Sequence, residues 1–179
     1  MHLIRITNPD HAYLDRLITL YEEAFPVEER RNIGQLKKMI KTKSGMHFNA
    51  IECDNELCGF FVYWDMVDFY YLEYLAVYAS MRNKKIGQQV LDYAADRLNG
   101  IRLLEVEPET DEMTSRRIRY YQRNGYQIFD KDYVQPSYDG IHDACPLWIM
   151  GNRMDKRLPE FIERIKHEVY LDNYGLIEK

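Results

Sequence analysis

Three groups of residues in this sequence have types and spacings that could do chemistry. The first is a basic loop with a glycine at its end, Ser80-Met81-Arg82-Asn83-Lys84-Lys85-Ile86-Gly87-Gln88, which joins an apolar run to a helical repeat. Backbone N–H groups at the start of a helix lack partners and carry the positive end of the helix dipole. A pyrophosphate fits such a site, with Arg82, Lys84 and Lys85 adding charge and Gly87 allowing close approach to the backbone. Taken alone, the loop fits an ordinary crossover with solvated lysines equally well. The second group is Thr114-Ser115-Arg116-Arg117-Ile118-Arg119-Tyr120-Tyr121-Gln122-Arg123-Asn124-Gly125-Tyr126, a helix that ends in two tyrosines and a glycine turn. The third is Glu73, the single acidic residue in the aromatic run Phe69–Tyr78. A carboxylate among Tyr71, Leu72, Tyr74 and Leu75 has its pKa raised by desolvation, which suits a base near neutral pH. The alternative is that Glu73 faces solvent or pairs with a lysine.

Other residues offer less. Cys53, Cys58 and Cys145 form neither a C-x-x-C pair nor a zinc spacing. Cys53 and Cys58 flank a hairpin turn and read as thiols in a reducing cytoplasm. The five histidines make no ligand motif, so no metal is expected, and His142-Asp143-x-Cys145 reads as a solvated loop. Ser137, His142 and Asp143 lack a nucleophile-elbow context. The net charge of −5 repels phosphate backbones, which argues against nucleic acid as a partner. No window is apolar enough for a membrane span, and the N-terminus lacks the pattern of a secretory signal.

The elements that must position these residues follow from periodicity. His2–Ile6 reads as a strand. Leu14, Leu17, Ile18 and Tyr21 recur at helical spacing over residues 10–24, with Asp10 as N-cap. Ile33, Leu36 and Ile40 mark a second helix. Met46–Cys53, Leu57–Met66 and Phe69–Tyr78 read as antiparallel strands, with Asp54-Asn55-Glu56 as a hairpin turn. Ile86, Val90, Ala94 and Leu98 give a helix, Ile101–Val106 a short strand that is apolar at nearly every position, and residues 112–123 another helix. Tyr126–Phe129 and Pro146–Met150 complete the strands. Leu158, Phe161, Ile162, Ile165, Val169 and Tyr170 form an amphipathic C-terminal helix over Leu158–Tyr174. The fold class is α/β: a mixed, mostly antiparallel sheet with helices on both faces.

Together the loop and the tyrosine helix resemble the GNAT superfamily of N-acetyltransferases. Arg82-x-x-x-x-Gly87 is similar to that family's Arg/Gln-x-x-Gly-x-Gly/Ala loop, with Lys85 in place of the first glycine. Tyr120-Tyr121-Gln122-Arg123-Asn124-Gly125-Tyr126 is similar to its aromatic-Tyr-Glu-x-x-Gly-Phe helix end, and Tyr21-Glu22-Glu23-Ala24-Phe25-Pro26-x-Glu28-Glu29-Arg30 to a segment after the first helix of some members. The resemblance spans about residues 2–150. It implies a domain over 1–151 with a splayed sheet, and residues 152–179 as an extra helix on the same domain or on a partner subunit of a homodimer. It further implies acetyl-CoA as acyl donor and a small-molecule or peptide primary amine as acceptor. Leu75, Ala76 and Val77 would pair with the pantetheine arm, and the amides of Arg82, Asn83, Lys84, Lys85, Ile86, Gly87 and Gln88 would hold the pyrophosphate. Thr114 would contact the cofactor. Tyr121 would protonate the departing sulfur, Glu73 would take the amine's proton, and Glu28, Arg30 and Tyr138 would border the acceptor. Lys85 raises a steric question, because a β-carbon there crowds the phosphates if the backbone needs a positive φ. A non-catalytic CoA-binding module is the competing expectation, and an interaction protein on a degenerate scaffold is a third.

Overall fold

Chain reversal at Asp54-Asn55 sets the first half of the sheet. Both residues have positive φ (50° and 62°), the backbone that a two-residue hairpin loop requires. In this computed structural model, which describes residues 1–176, strand β2 (Met46–Cys53) thereby pairs antiparallel with β3 (Glu56–Asp65). Strand β1 (His2–Arg5) adds to the outer edge of β2, and β4 (Phe69–Val77) adds antiparallel to β3. A basic loop then leads into helix α3 (Ile86–Arg97), which crosses over to β5 (Ile101–Val106), parallel to β4. Helices α1 (Leu14–Ala24) and α2 (Ile33–Thr42) lie between β1 and β2 in the chain. Helix α4 (Glu112–Arg123), β6 (Gln127–Asp130), a small hairpin of β7 (Val134–Gln135) and β8 (Cys145–Pro146), and β9 (Trp148–Gly151) follow. The main sheet has the order β1-β2-β3-β4-β5-β9-β6.

Two irregularities matter for function. Along β3 and β4, Val62 lies opposite Tyr74 but Tyr63 lies opposite Leu72, so Glu73 is an extra residue in β4 with no partner. A bulge of this kind bends the strand and re-aims a side chain. Strands β4 and β5 pair only from Phe69↔Ile101 to Leu72↔Leu104, although β4 runs on to Val77 and β5 to Val106. Beyond Leu72 the sheet therefore splays open.

The sheet buries a core on each face. One face packs Leu14, Leu17 and Tyr21 of α1, Leu36, Met39 and Ile40 of α2, and the C-terminal segment. The other packs Ile86, Val90, Leu91 and Ala94 of α3 with Ile118 of α4. The C-terminal segment is not one helix. Helix α5 (Leu158–Arg164) runs into a wide π turn at Ile165–Tyr170 and then a tight 3-10 stretch at Leu171–Leu176. Its apolar residues Phe161, Ile165, Val169 and Tyr170 are buried against the chain's own sheet. Helix α1 starts at Leu14 rather than at residue 10. The Asn8 side chain accepts the Asp10 amide at 3.0 Å, and His11 Nδ1 accepts the Tyr13 amide at 3.2 Å, holding this stretch in turns.

Candidate active site

The splay between β4 and β5 forms a narrow open cleft, lined by Leu72, Glu73, Tyr74 and Leu75 on one wall and by Leu104, Glu105 and Tyr121 on the other. Past Leu72, the edge of β4 facing this gap has no strand beside it. Leu75 and Val77 therefore present main-chain groups to whatever enters.

Strand β4 leads into the basic loop, whose Gly87 lies near Leu75 of the cleft wall. Ala79–Met81 makes a 3-10 turn, and Lys85 is the N-cap of α3, with no side chain capping the helix. Asn83 and Lys85 both adopt left-handed backbone, with φ of 64° and 58°. Among the described residues, the main-chain amides from Asn83 to Gln88 find no acceptor in the protein. Alternating left-handed residues with free amides make a concave donor surface for anions. Arg82, Asn83, Lys84 and Lys85 are exposed around it, while Ile86 is buried beneath it. A Cβ at Gly87 would sit 3.3 Å from the Tyr120 hydroxyl, a buried oxygen that has no hydrogen-bond partner. A larger residue here would push the Tyr120 hydroxyl back by a few tenths of an ångström. The Gln88 side chain donates to Asp92 and to Asn124, tying the start of α3 to the turn after α4.

Tyr121 reaches the cleft from α4, and among the described residues its hydroxyl makes no hydrogen bond. Burial pushes this hydroxyl above the ordinary tyrosine range, with Arg117 opposing the shift, so it stays protonated at neutral pH.

Glu73 departs from its expected role. The bulge turns its carboxylate away from the cleft and into the core, where the side chain has no exposure. One oxygen receives the guanidinium of Arg31 and the Tyr138 hydroxyl (3.3 Å); the other receives the Trp64 indole N–H at 2.7 Å. Arg31 is equally sealed. It also donates to the Val169 carbonyl at 2.9 Å and lies over the Tyr138 ring at 4.6 Å. Burial opposes the Arg31 charge, but Glu73 and the surrounding tyrosine oxygens hold its pKa well above the usual value. Only the backbone of Glu73 borders the cleft, so its carboxylate, paired with Arg31 and sealed in the core, lacks the exposure that a base facing an amine needs.

Thr114 is likewise committed elsewhere. Its hydroxyl accepts the amides of Thr110 and Asp111 at 3.0 Å each, and its own amide donates to the Asp111 carboxylate at 2.7 Å, closing a capping box. Of the acceptor-side residues, Glu28 is exposed and Arg30 turns back to Glu22 at 3.3 Å. Tyr138 is a buried part of the Arg31–Glu73 network.

Sequence reasoning missed Glu105. It sits on β5 in the cleft wall, half-buried, with Oε1 accepting the Tyr133 hydroxyl at 2.5 Å and Oε2 accepting the Tyr170 hydroxyl at 2.9 Å. Burial pushes its pKa up to about 7 against the pull of these hydroxyls. The signal was the one carboxylate of β5, set between the apolar Leu104 and Val106.

The comparisons agree with this geometry. A family model described as an acetyltransferase (GNAT) domain matches residues 44–128. A protein from Bacteroides thetaiotaomicron assigned to the GNAT acetyltransferases is 32% identical, with 95% of this chain and 98% of that one aligned at a TM-score of 0.90. An aminoglycoside 6'-N-acetyltransferase solved with coenzyme A is 20% identical over 87% of this chain and all of its own, at a TM-score of 0.57. An IAA acetyltransferase from Bacillus cereus ATCC 14579 is 16% identical over 86% and 99% of the two chains, at 0.55. No curated protein matches this chain. The chain belongs to the GNAT family of acetyltransferases, whose acyl donor is acetyl-coenzyme A. Among the described residues, no cluster of three or more His, Cys, Asp or Glu could hold a metal, and no helix is long and apolar enough to cross a membrane.

Proposed function

We propose that this acetyltransferase moves the acetyl group of acetyl-CoA onto a primary amine of a small molecule or peptide, by direct attack while both substrates are bound. The observation that carries the reading is a cleft with a bare β4 edge and a free tyrosine hydroxyl, next to an uncapped helix start whose Gly87 lies near Leu75.

The donor-binding residues fit the group they would hold. The free amides from Asn83 to Gln88 match a pyrophosphate, and the exposed Arg82, Lys84 and Lys85 supply counter-charge. The partnerless Tyr120 hydroxyl beside Gly87 offers a further donor. The main chain of Leu75 and Val77 pairs with the pantetheine amides as a strand would, with Ala76 held to β3 between them, and the Val77 N–H polarises the thioester carbonyl. Tyr121 gives its proton to the sulfur as the carbon–sulfur bond breaks, which lowers the cost of expelling a thiolate. Glu28 and the Tyr133–His142 turn border the acceptor side, and acidic residues there favour a cationic amine.

Calorimetry with acetyl-CoA, paired with thiol-release assays over a panel of amines, tests the reading. Binding with thiol release that depends on the amine is expected. Binding without release for any amine would favour a non-catalytic acyl-CoA sensor on the same fold.

A further inference from the structure

We propose that Glu105 is the catalytic proton acceptor for the attacking amine, and that Tyr133 and Tyr170 are its positioning residues, which makes the C-terminal segment part of the active site. This rests on the acyl-transfer reading above and says which groups complete it.

Two carboxylates stand on adjacent strands in different surroundings. Glu73 has a guanidinium and two neutral donors, and its side chain is sealed. Glu105 borders the open cleft with Tyr121, and no ion pair reaches it among the described residues. Two carboxylates whose surroundings push them towards different protonation behaviour commonly divide structural and proton-transfer roles. Glu105 Oε1 accepts the Tyr133 hydroxyl and Oε2 the Tyr170 hydroxyl, with the Tyr71 hydroxyl close by as a third donor, which still leaves the carboxylate a lone pair.

The groups around Glu105 come from every layer packed on it. Tyr71 and Glu73 face it from β4, the latter neutralised by Arg31. Tyr133 comes from the turn after β6, Tyr138 from the turn after β7, Cys145 from β8 and Tyr170 from the C-terminal segment. Tyr170 is itself braced by the Tyr71 hydroxyl at 2.9 Å. All of these are neutral or negative apart from the sealed Arg31. Burial is therefore the dominant influence, and it holds the carboxyl near a pKa of about 7, where it gains and loses a proton under ordinary conditions.

The step balances. The amine nitrogen forms a bond to the thioester carbon, the carbon–sulfur bond breaks, and its electron pair leaves on sulfur. Glu105 takes the proton lost by nitrogen and passes it to solvent through the open cleft. Tyr121 supplies the sulfur's proton and recovers one from solvent. Amide and free thiol are the products.

Tyr133 and Tyr170 lie beyond the segment that the family model matches, 44–128. The C-terminal segment also receives Arg31 at the Val169 carbonyl. The π turn Ile165–Tyr170, with Ile165, Val169 and Tyr170 buried, thus holds Arg31, the partner of Glu73, through the Val169 carbonyl and Glu105 through the Tyr170 hydroxyl.

The test combines rate–pH profiles of wild type, Glu105→Gln and Tyr170→Phe on one amine with carboxyl NMR titrations of glutamate-labelled protein. In wild type, the acid limb of kcat is expected to coincide with the Glu105 titration. Glu105→Gln should lose about 100-fold or more in kcat and lose the limb, with acetyl-CoA affinity nearly unchanged. Tyr170→Phe removes a donor to the carboxylate, so the limb should move up by about one pH unit. The amine is the same throughout, so its own titration cannot produce that shift. An unmoved limb in Tyr170→Phe, or a retained rate and limb in Glu105→Gln, overturns the proposal. If no amine reacts, the acyl-transfer reading is what fails, and the NMR titration still decides. A Glu105 carboxyl that titrates near neutrality and moves up in Tyr170→Phe supports the proposal. One that titrates in the ordinary carboxylate range overturns it.

Discussion

Replacing Glu73 by Gln should cost stability rather than reset the chemistry. The magnitude follows from the site. Glu73 and Arg31 have no side-chain exposure, and the amide that replaces the carboxylate leaves the guanidinium charge buried without a counter-ion. It also presents N–H groups to Trp64 Nε1 or Tyr138, which are donors themselves. Breaking one side of a buried pair typically costs about 3–5 kcal/mol. At about 2–4 °C per kcal/mol for a chain of this size, Tm should fall by roughly 6–20 °C. Urea denaturation gives the free energy directly, and circular dichroism gives Tm. Replacing both partners together, Arg31→Met with Glu73→Leu, removes the stranded charge and should recover most of the loss. In the folded fraction, the acid limb of the Glu73→Gln rate profile should stay where it is in wild type. A variant within about 1 kcal/mol of wild type would refute the sealed-pair reasoning, since surface substitutions have effects of that size. A limb that disappears in Glu73→Gln would return the base to β4.

Three further outcomes follow. Tyr121→Phe should keep acetyl-CoA affinity but lower kcat by about 10²–10⁴-fold, read by calorimetry and thiol release, if its hydroxyl protonates sulfur. Lys85→Gly should change acetyl-CoA affinity by less than about tenfold, because Lys85 already holds the left-handed backbone (φ 58°) that glycine would adopt, at a strain of about 1–2 kcal/mol; much tighter binding would mean that the lysine obstructs the phosphates. The Glu105 carboxyl rises from 4.5 to about 7 on folding, so the native state binds the extra proton. Stability should therefore fall as pH rises from about 4.5 to 7, by at most about 1.4 kcal/mol per pH unit, and Glu105→Gln should flatten that slope in urea titrations.

The order of elements was legible because each apolar repeat matched one period: four-residue steps at Ile86, Val90 and Ala94, and a dense aromatic run at Phe69–Val77. The phosphate-type loop was legible too, since its basic residues and Gly87 are local in sequence. The role of Glu73 was not. Its orientation depends on a one-residue bulge in β4, and its partner Arg31 lies 42 positions away, just past the segment ending at Arg30. Glu105 was hidden for a related reason: its strand reads as apolar, and its tyrosine donors lie 28 and 65 residues downstream. Tyr170 reads as one member of a helical apolar stripe, and only the π turn and the splay reveal the direction of its hydroxyl. Thr114 shows the converse. Its position suggested a cofactor contact, but the Asp111 capping box uses its hydroxyl locally.

The proposed chemistry requires above all that the donor lie along β4 with its phosphates on the start of α3. A crystal structure of the chain soaked or co-crystallised with acetyl-CoA tests this directly. The account predicts pyrophosphate oxygens within hydrogen-bond distance of the amides between Asn83 and Gln88, and the sulfur beside the Tyr121 hydroxyl. A donor bound elsewhere, or a sulfur directed away from both Tyr121 and Glu105, would contradict it.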